Sequence, residues 1–262
     1  MNCNFVFDID GTLIQNNEML IEQKKAVLSR VSKTDRIVFA SSRAFRGIKS
    51  VIPSKFHSEY LILCNGAMAF YNREIVDRIN IEPFDSMEVI NYLKEKRVLF
   101  YLEFGDGIYI SDERRNEFLD ALIEEAKDEY VAEDYKDNLE KICKIGIVDR
   151  MEWVFYQQII ERFKSIKVYR HADGTADIVS RAASKWNMYT KLQLNRQKTI
   201  AFGNDSNDYE MLENADVSVA VCPESEEISE VAKYVIEDYS PDALEEMICM
   251  LKKNKQSDNI LI

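Results

Sequence analysis

Residues 5–13 read FVFDIDGTL, an apolar run that stops on two carboxylates, Asp8 and Asp10, and then turns at Gly11-Thr12. Side chains two apart in an extended strand point the same way, so both acids can flank one centre where the chain leaves a sheet. Gly11 permits a sharp turn and a close approach of backbone N–H groups to an anion. Paired acids at a strand end also occur as plain turns, and this stretch alone does not separate the two readings. A calcium loop over residues 8–19 is excluded. Thr12 stands fifth where Asp or Asn is wanted, and Leu13 stands sixth where glycine is required.

Outward from this stretch, the first third of the chain alternates short apolar runs with helical periodicity. NFVFDI (4–9), RIVFAS (36–41) and YLILC (60–64) read as buried strands. Helices are expected over 18–32, with Leu20, Val27, Leu28 and Val31 on one side, and over 43–52, stopped by Pro53. The last third repeats the pattern. A helix at 184–194 precedes strand TIAFG (199–203), helix 207–214, strand VSVAV (217–221) and helices near 224–233 and 241–253, with 252–262 as a tail. Apolar strands separated by helices predict a parallel α/β sheet covered on both faces, a Rossmann-like core. The middle differs. After a hairpin at 67–80 come helix 83–96, two strands about the turn Gly105-Asp106-Gly107, helix 112–129, strand 142–148, helix 151–164 and strands 166–171 and 175–180. The expected organisation is a core of residues 1–80 and 182–262 with an inserted α+β domain at 81–181.

Composition narrows the function. The 262-residue chain has a net charge of −12, no long Lys/Arg run and no apolar stretch near membrane-spanning length, so neither nucleic acid nor membrane is an expected partner. No basic region precedes the first apolar run, so no signal peptide is expected. Five widely spaced cysteines without a CxxC pair, and only two histidines (His57 and His171), argue against a disulfide framework or a zinc site and suit a reducing cytoplasm.

In a parallel α/β sheet, ligands bind beyond the carboxyl ends of the strands. Asp8, Ser41 and Asn204-Asp205 all follow such strands, and Lys185 opens the helix before 199–203. Carboxylates beside phosphate repel it, so attack by an Asp on phosphorus requires a cation such as Mg²⁺ and a lysine. DIDGT (8–12), FASSR (39–43), Lys185 and GNDSNDYEML (203–212) resemble, in order and context, the four motifs of haloacid dehalogenase superfamily phosphatases. The insert resembles the cap of the Cof-type branch (subfamily IIB), and CNGA (64–67) resembles a further signature of that branch.

The resemblance implies a HAD fold and an Mg²⁺-dependent phosphatase acting on a small phosphorylated metabolite, such as a sugar phosphate. Asp8 would be the nucleophile that forms an aspartyl-phosphate. Asp10 would protonate the leaving alcohol, activate the hydrolytic water and bind the metal through its backbone carbonyl. Ser41 would donate to a phosphoryl oxygen, although the same hydroxyl can N-cap the helix at 43–52. Lys185 would neutralise charge, or else be a solvated lysine set against a helix dipole. Asn204 stands where an Asp normally ligates the metal, an amide oxygen that brings no charge. Asp208 would complete the metal set with Asp8 and Asp10, with Asp205 as a further candidate. Gly11, Ser42, Asn65 and Asn207 would face phosphate or substrate, with turn capping the competing role for Asn65. Tyr169, His171, Asp173 and Thr175 on the insert's last hairpin are candidates on topology alone, and the aromatic groups at 99–104 and 153–156 are expected in the insert's core. A phosphomutase, or a non-catalytic phosphosugar sensor weakened by Asn204, are the rival readings. The chain is expected in the cytoplasm, as a monomer or homodimer.

Overall fold

The computed structural model describes residues 3–15, 18–111, 114, 116–127, 130–171 and 173–258. In chain order the elements are β1 (Asn4–Asp8), α1 (Glu22–Val31), β2 (Arg36–Ala40), α2 (Phe45–Val51), β3 (Tyr60–Leu63), β4 (Met68–Tyr71), β5 (Glu74–Arg78), α3 (Pro83–Glu95), β6 (Phe100–Glu103), β7 (Gly107–Ile110), α4 (Glu117–Glu125), β8 (Tyr130–Val131), β9 (Lys144–Ile147), α5 (Trp153–Arg162), β10 (Ile166–Arg170), β11 (Ala176–Ser180), α6 (Lys185–Lys191), β12 (Thr199–Gly203), α7 (Tyr209–Asn214), β13 (Val217–Val221), α8 (Glu226–Val231), β14 (Tyr234–Ile236) and α9 (Pro241–Asp258). They form two compact units.

The first unit draws on residues 1–39, 51–53 and 194–262. Its strands lie in the order β14-β13-β12-β1-β2, with β1 parallel to β12 (Phe5↔Ile200, Phe7↔Phe202), β12 parallel to β13 and β13 parallel to β14. β1, β12 and β13 are buried along their whole length, as strands covered on both faces must be. Phe5, Phe7 and Phe202 stack at centroid separations of 4.8–6.5 Å. The chain runs from β1 to β2 on one side, while β12 and its successors lie on the other. β1 and β12 therefore bound a topological switch point, where such sheets place their ligands.

The second unit draws on residues 40–50 and 54–193. β3, β4 and β5 form an antiparallel meander. A six-stranded sheet follows the order β10-β11-β9-β6-β7-β8, antiparallel except for the β7–β8 pair. Alternate residues of β6 face opposite sides. Phe100 and Leu102 pack with Val89, Ile90 and Leu93 of α3 and Tyr156 and Ile159 of α5, whereas Tyr101 packs with Leu119 and Leu122 of α4. The aromatic groups Phe100, Phe104, Phe155 and Tyr156 are core, as expected; Trp153 is exposed.

Element edges depart from the sequence reading for identifiable reasons. The helix expected from residue 18 starts at Glu22, because the Leu20 N–H donates to the Val51 carbonyl at 2.9 Å and holds the preceding backbone extended. The expected tail from 252 is helical to Asp258. Leu244, Ile248 and Leu251 keep one face of α9 buried, and Lys252 anchors it to Asp35 at 2.8 Å. Residues 259–262 lie outside the described set, as do 112, 113, 115, 128 and 129 of the helix expected at 112–129, whose described part is α4. Strands β8 and β14, two and three residues long, are too short to show a period.

The α1–β2 turn is fastened by one carboxylate. Asp35 accepts the Cys3 N–H at 2.9 Å and the Thr34 hydroxyl at 2.7 Å, and pairs with Lys252. Burial pushes its carboxyl up, but these donors together bring it down from 3.8 to about 2. Asp35→Asn should cost about 1–3 kcal/mol at neutral pH. The folded carboxyl holds its proton less tightly than the unfolded one, so this contribution is complete above the unfolded value and fades as pH falls towards 2. Urea unfolding of both proteins across that range checks it; a wild-type advantage that stays constant into acid would rule the assignment out.

Candidate active site

In the first unit, Asp8 closes β1 and is buried, one residue beyond the Phe7↔Phe202 pair, as Gly203 closes β12 one residue beyond it. The chain then folds tightly on itself. The Ile9 carbonyl accepts N–H groups from Thr12, Leu13 and Ile14, and the Gly11 N–H donates to the Ile14 carbonyl at 2.8 Å. Gly11 has φ +78°, and a Cβ on it would lie 2.1 Å from Asn204 Nδ2. Glycine is thus required twice, for the backbone angle and for the approach of the β12 loop.

The fourth-motif residues are held by a second turn. Asp208 Oδ2 accepts the N–H groups of Asn204 (3.0 Å) and Asp205 (3.3 Å), while the Asp205 carboxylate caps the Ser206 N–H at the start of the 3-10 turn Ser206–Asp208, which carries Asn207. The Asn204 amide is engaged at both ends. Oδ1 accepts the Thr12 hydroxyl at 3.2 Å, and Nδ2 donates to Glu224 Oε1 at 3.3 Å. Residues 8, 10, 11, 204, 205, 207 and 208 are therefore carried by two adjoining strand-end loops. Lys24 and Tyr239 belong to the same surroundings and were missed by sequence reasoning, because a helix lysine and a loop tyrosine carry no motif. Lys24 Nζ donates to the Leu13 carbonyl at 3.1 Å and lies 3.6 Å from the Tyr239 ring centre. Burial lowers the Lys24 ammonium to about 8, against Cys222 and Asp238, which raise it. Burial, reinforced by Asp8 and Asp10, pushes the Tyr239 phenol up.

The available donors suit a hard cation. The Asp8 carboxylate, the Asp10 carbonyl and Asn204 Oδ1 are oxygens, and an amide oxygen with one hydrogen bond from Thr12 keeps a second lone pair. The set fits Mg²⁺ with a single negative charge, that of Asp8, two fewer than three carboxylates would supply. Among the described residues no cluster of three or more His, Cys, Asp and Glu is placed to hold a metal ion.

In the second unit, Ser41 follows β2 and is buried. Its N–H donates to the Ile62 carbonyl at 2.8 Å, its carbonyl accepts the Asn65 N–H at 3.1 Å, and its Oγ accepts the Arg43 N–H at 3.1 Å. That last contact is a local turn; α2 itself starts at Phe45, further on than the expected 43. Cys64 (φ 53°), Asn65 (φ 56°) and Gly66 (φ 88°) form three successive left-handed residues. A Cβ on Gly66 would lie 2.1 Å from the Ser184 carbonyl oxygen and 2.7 Å from the Lys185 nitrogen. The Ser184 hydroxyl caps α6 through the Asn187 N–H at 3.0 Å, setting Lys185, which is buried, as the first helical residue. Ser41, Ser42, Asn65 and Lys185 are thus gathered around one strained turn. Of the hairpin candidates, Asp173 caps its own turn through Thr175, and His171 Nε2 lies 3.5 Å from Asp177 Oδ2. Burial lowers the His171 imidazole, but the Asp177 carboxylate outweighs it and the net shift is upward.

Gly66→Ala should destabilise the protein by more than about 2 kcal/mol, since it combines a disfavoured φ with a backbone clash. Denaturant unfolding checks this; a change within about 0.5 kcal/mol would contradict the close approach of residues 66 and 184.

A family model for haloacid dehalogenase-like hydrolases matches residues 5–248. A protein of Mycoplasma genitalium, provisionally assigned as a phosphatase, is 24% identical over 260 residues, covering 89% of this chain and 92% of its own. A crystal structure from Thermotoga maritima aligns with TM-score 0.76 and 25% identity, covering 94% of this chain and 97% of that one. The subclass IIB sugar phosphatase BT4131 shares the fold at TM-score 0.77 and 17% identity, over 96% and 99% of the two chains. With a family match that takes in both strand-end loops, the strained turn and Lys185, this chain belongs to the haloacid dehalogenase-like hydrolases.

Proposed function

We propose that this hydrolase is an Mg²⁺-dependent phosphatase acting on a small phosphomonoester through an aspartyl-phosphate on Asp8. The observation that carries the reading is the seating of Asp8 and Asn204 on adjoining strand ends at the switch point, with Gly11 packed against Asn204. The fold shared with a sugar phosphatase favours a sugar phosphate as substrate.

On this reading the Asp8 carboxylate attacks phosphorus while Asp10 gives its proton to the departing alkoxide, so the P–O ester bond breaks as the acyl-phosphate bond forms. Asp10 then takes a proton from water, which attacks phosphorus, releases inorganic phosphate and restores Asp8. Ser41 donates to a phosphoryl oxygen, Lys185 offsets charge, and the backbone at Gly11 and Ser42 with the side chains of Asn65 and Asn207 orients the phosphate or its substituent. When bound, Mg²⁺ neutralises phosphoryl charge, held by Asp8, the Asp10 carbonyl, Asn204 and Asp208, with Asp205 as a further candidate. The core is residues 1–80 and 182–262, and residues 81–181 are the cap that sets specificity. Among the described residues no helix is long and apolar enough to cross a membrane, and five free cysteines suit a reducing cytoplasm.

The engagement of the Asn204 amide by Thr12 and Glu224 also favours a second reading, a phosphosugar sensor with weak turnover. Phosphate release from phosphorylated sugars, nucleotides and vitamins, with Mg²⁺ or EDTA, separates the two. Metal-dependent turnover that falls at least about a thousandfold in Asp8→Asn is expected. Tight binding without release would instead identify a sensor.

Asn204→Asp sets a third carboxylate in the metal set and turns the Glu224 contact repulsive. It should lower the Mg²⁺ concentration for half-maximal turnover roughly tenfold. It should also enlarge the rise in Tm on adding Mg²⁺. Unchanged metal dependence in both measurements would remove residue 204 from the ligand set.

A further inference from the structure

Two consecutive non-glycine residues in the left-handed region, Cys64 and Asn65, each cost about 1–3 kcal/mol and persist only where the surroundings over-determine them. Backbone bonds supply part of the restraint: the Cys64 N–H donates to the Arg43 carbonyl at 2.9 Å and the Asn65 N–H to Ser41. The rest comes from a buried charge pair on the six-stranded sheet. Asn65 Nδ2 donates to Asp177 Oδ2 at 3.0 Å, and the same oxygen pairs with Lys144 Nζ at 3.2 Å. Lys144 donates a second bond, to the Ser42 carbonyl at 3.1 Å. Lys144 and Asp177 stand on the adjacent antiparallel strands β9 and β11, where Asp177 is opposite Gly146, and both side chains are 6% exposed.

Stability alone does not explain such a pair. Removing two charges from water costs about what their attraction returns, and apolar replacements of similar volume are often neutral or stabilising. A buried pair does fix direction, because each charge must keep its partners. Here the partners are a carbonyl of the turn bearing Ser41 and Ser42, the amide of Asn65, and His171, whose Nε2 lies 3.5 Å from the same Asp177 oxygen.

We propose that Lys144 and Asp177 are positioning residues for the substrate-side groups: Asp177 aims the Asn65 amide, and Lys144 holds both Asp177 and the Ser42 carbonyl. Neither residue touches phosphate in this scheme. The inference rests on the phosphatase reading for its kinetic consequence and on the geometry alone for the linkage.

The test is a double-mutant cycle with p-nitrophenyl phosphate and Mg²⁺, using wild type, Asn65→Ala, Asp177→Ala and the double variant, with thermal unfolding in parallel. Tyr156→Phe, which removes the buried bond from Tyr156 to the Gly174 carbonyl, controls for lost stability. Asp177→Ala should lower kcat/KM about tenfold or more, the double variant should lose no more than Asn65→Ala alone, and Tyr156→Phe should lower Tm without a comparable kinetic loss. Multiplicative losses in the double variant, or an equal kinetic loss in the control, would overturn the proposal. Should Asp177→Ala not fold, the isosteric Asp177→Asn carries the same comparison. If wild type does not turn over p-nitrophenyl phosphate, the phosphatase reading fails for this probe and the linkage is read by NMR. The Asn65 side-chain amide resonances must then move in Asp177→Asn and in Lys144→Met; resonances that stay put in both would overturn the linkage itself.

Discussion

The pairing of β1 with β12 is the constraint on which the site depends. It aligns Phe7 with Phe202, one residue before Asp8 and Gly203, across nearly two hundred residues of intervening chain, and it is held by the backbone ladder together with burial of the apolar runs. Phe5, Phe7 and Phe202 supply the shared core, so the acidic ends sit on a rigid support. Gly11 then lets the first loop close on Asn204. A side chain at either glycine, 11 or 203, would enter space filled by Asn204 or Asp208. The geometry of the acids thus follows from two absent Cβ atoms on a buried parallel ladder.

The second unit solves a related problem with charge. Its candidate residues gather around a left-handed turn that non-glycine residues resist, and Lys144, Asp177 and a network of backbone bonds hold it. Burial opposes the charge on both partners. The Lys144 ammonium is nevertheless held well above its usual range by Asp177, and the Asp177 carboxyl is held below its own by Lys144 and His171. Rigid turns of this kind suit recognition of a small anion, where a displacement of an ångström costs orders of magnitude in rate.

Much of this was legible in the sequence. The apolar runs of β1, β2, β3, β12 and β13 announce a parallel sheet, and acids at their ends announce chemistry, because strand period and strand-end location are local properties. Asn204 was visible as a departure, but its bonds to Thr12 and Glu224 were not, since they join loops far apart in sequence. Lys144 and Asp177 were invisible for the same reason. A lysine and an aspartate on two strands look like solvated charges until the β9–β11 register places them together. The start of α1 was misplaced because a single backbone bond from Leu20 to Val51 overrides helical periodicity there.

The central claim is that Asp8 itself carries the phosphoryl group. Rapid acid quenching during turnover, borohydride reduction and peptide mass spectrometry would locate the acyl-phosphate, which is reduced to homoserine wherever it formed. Homoserine at residue 8 is the predicted result. Steady turnover with the modification at another residue, or with none at residue 8, would contradict the mechanism.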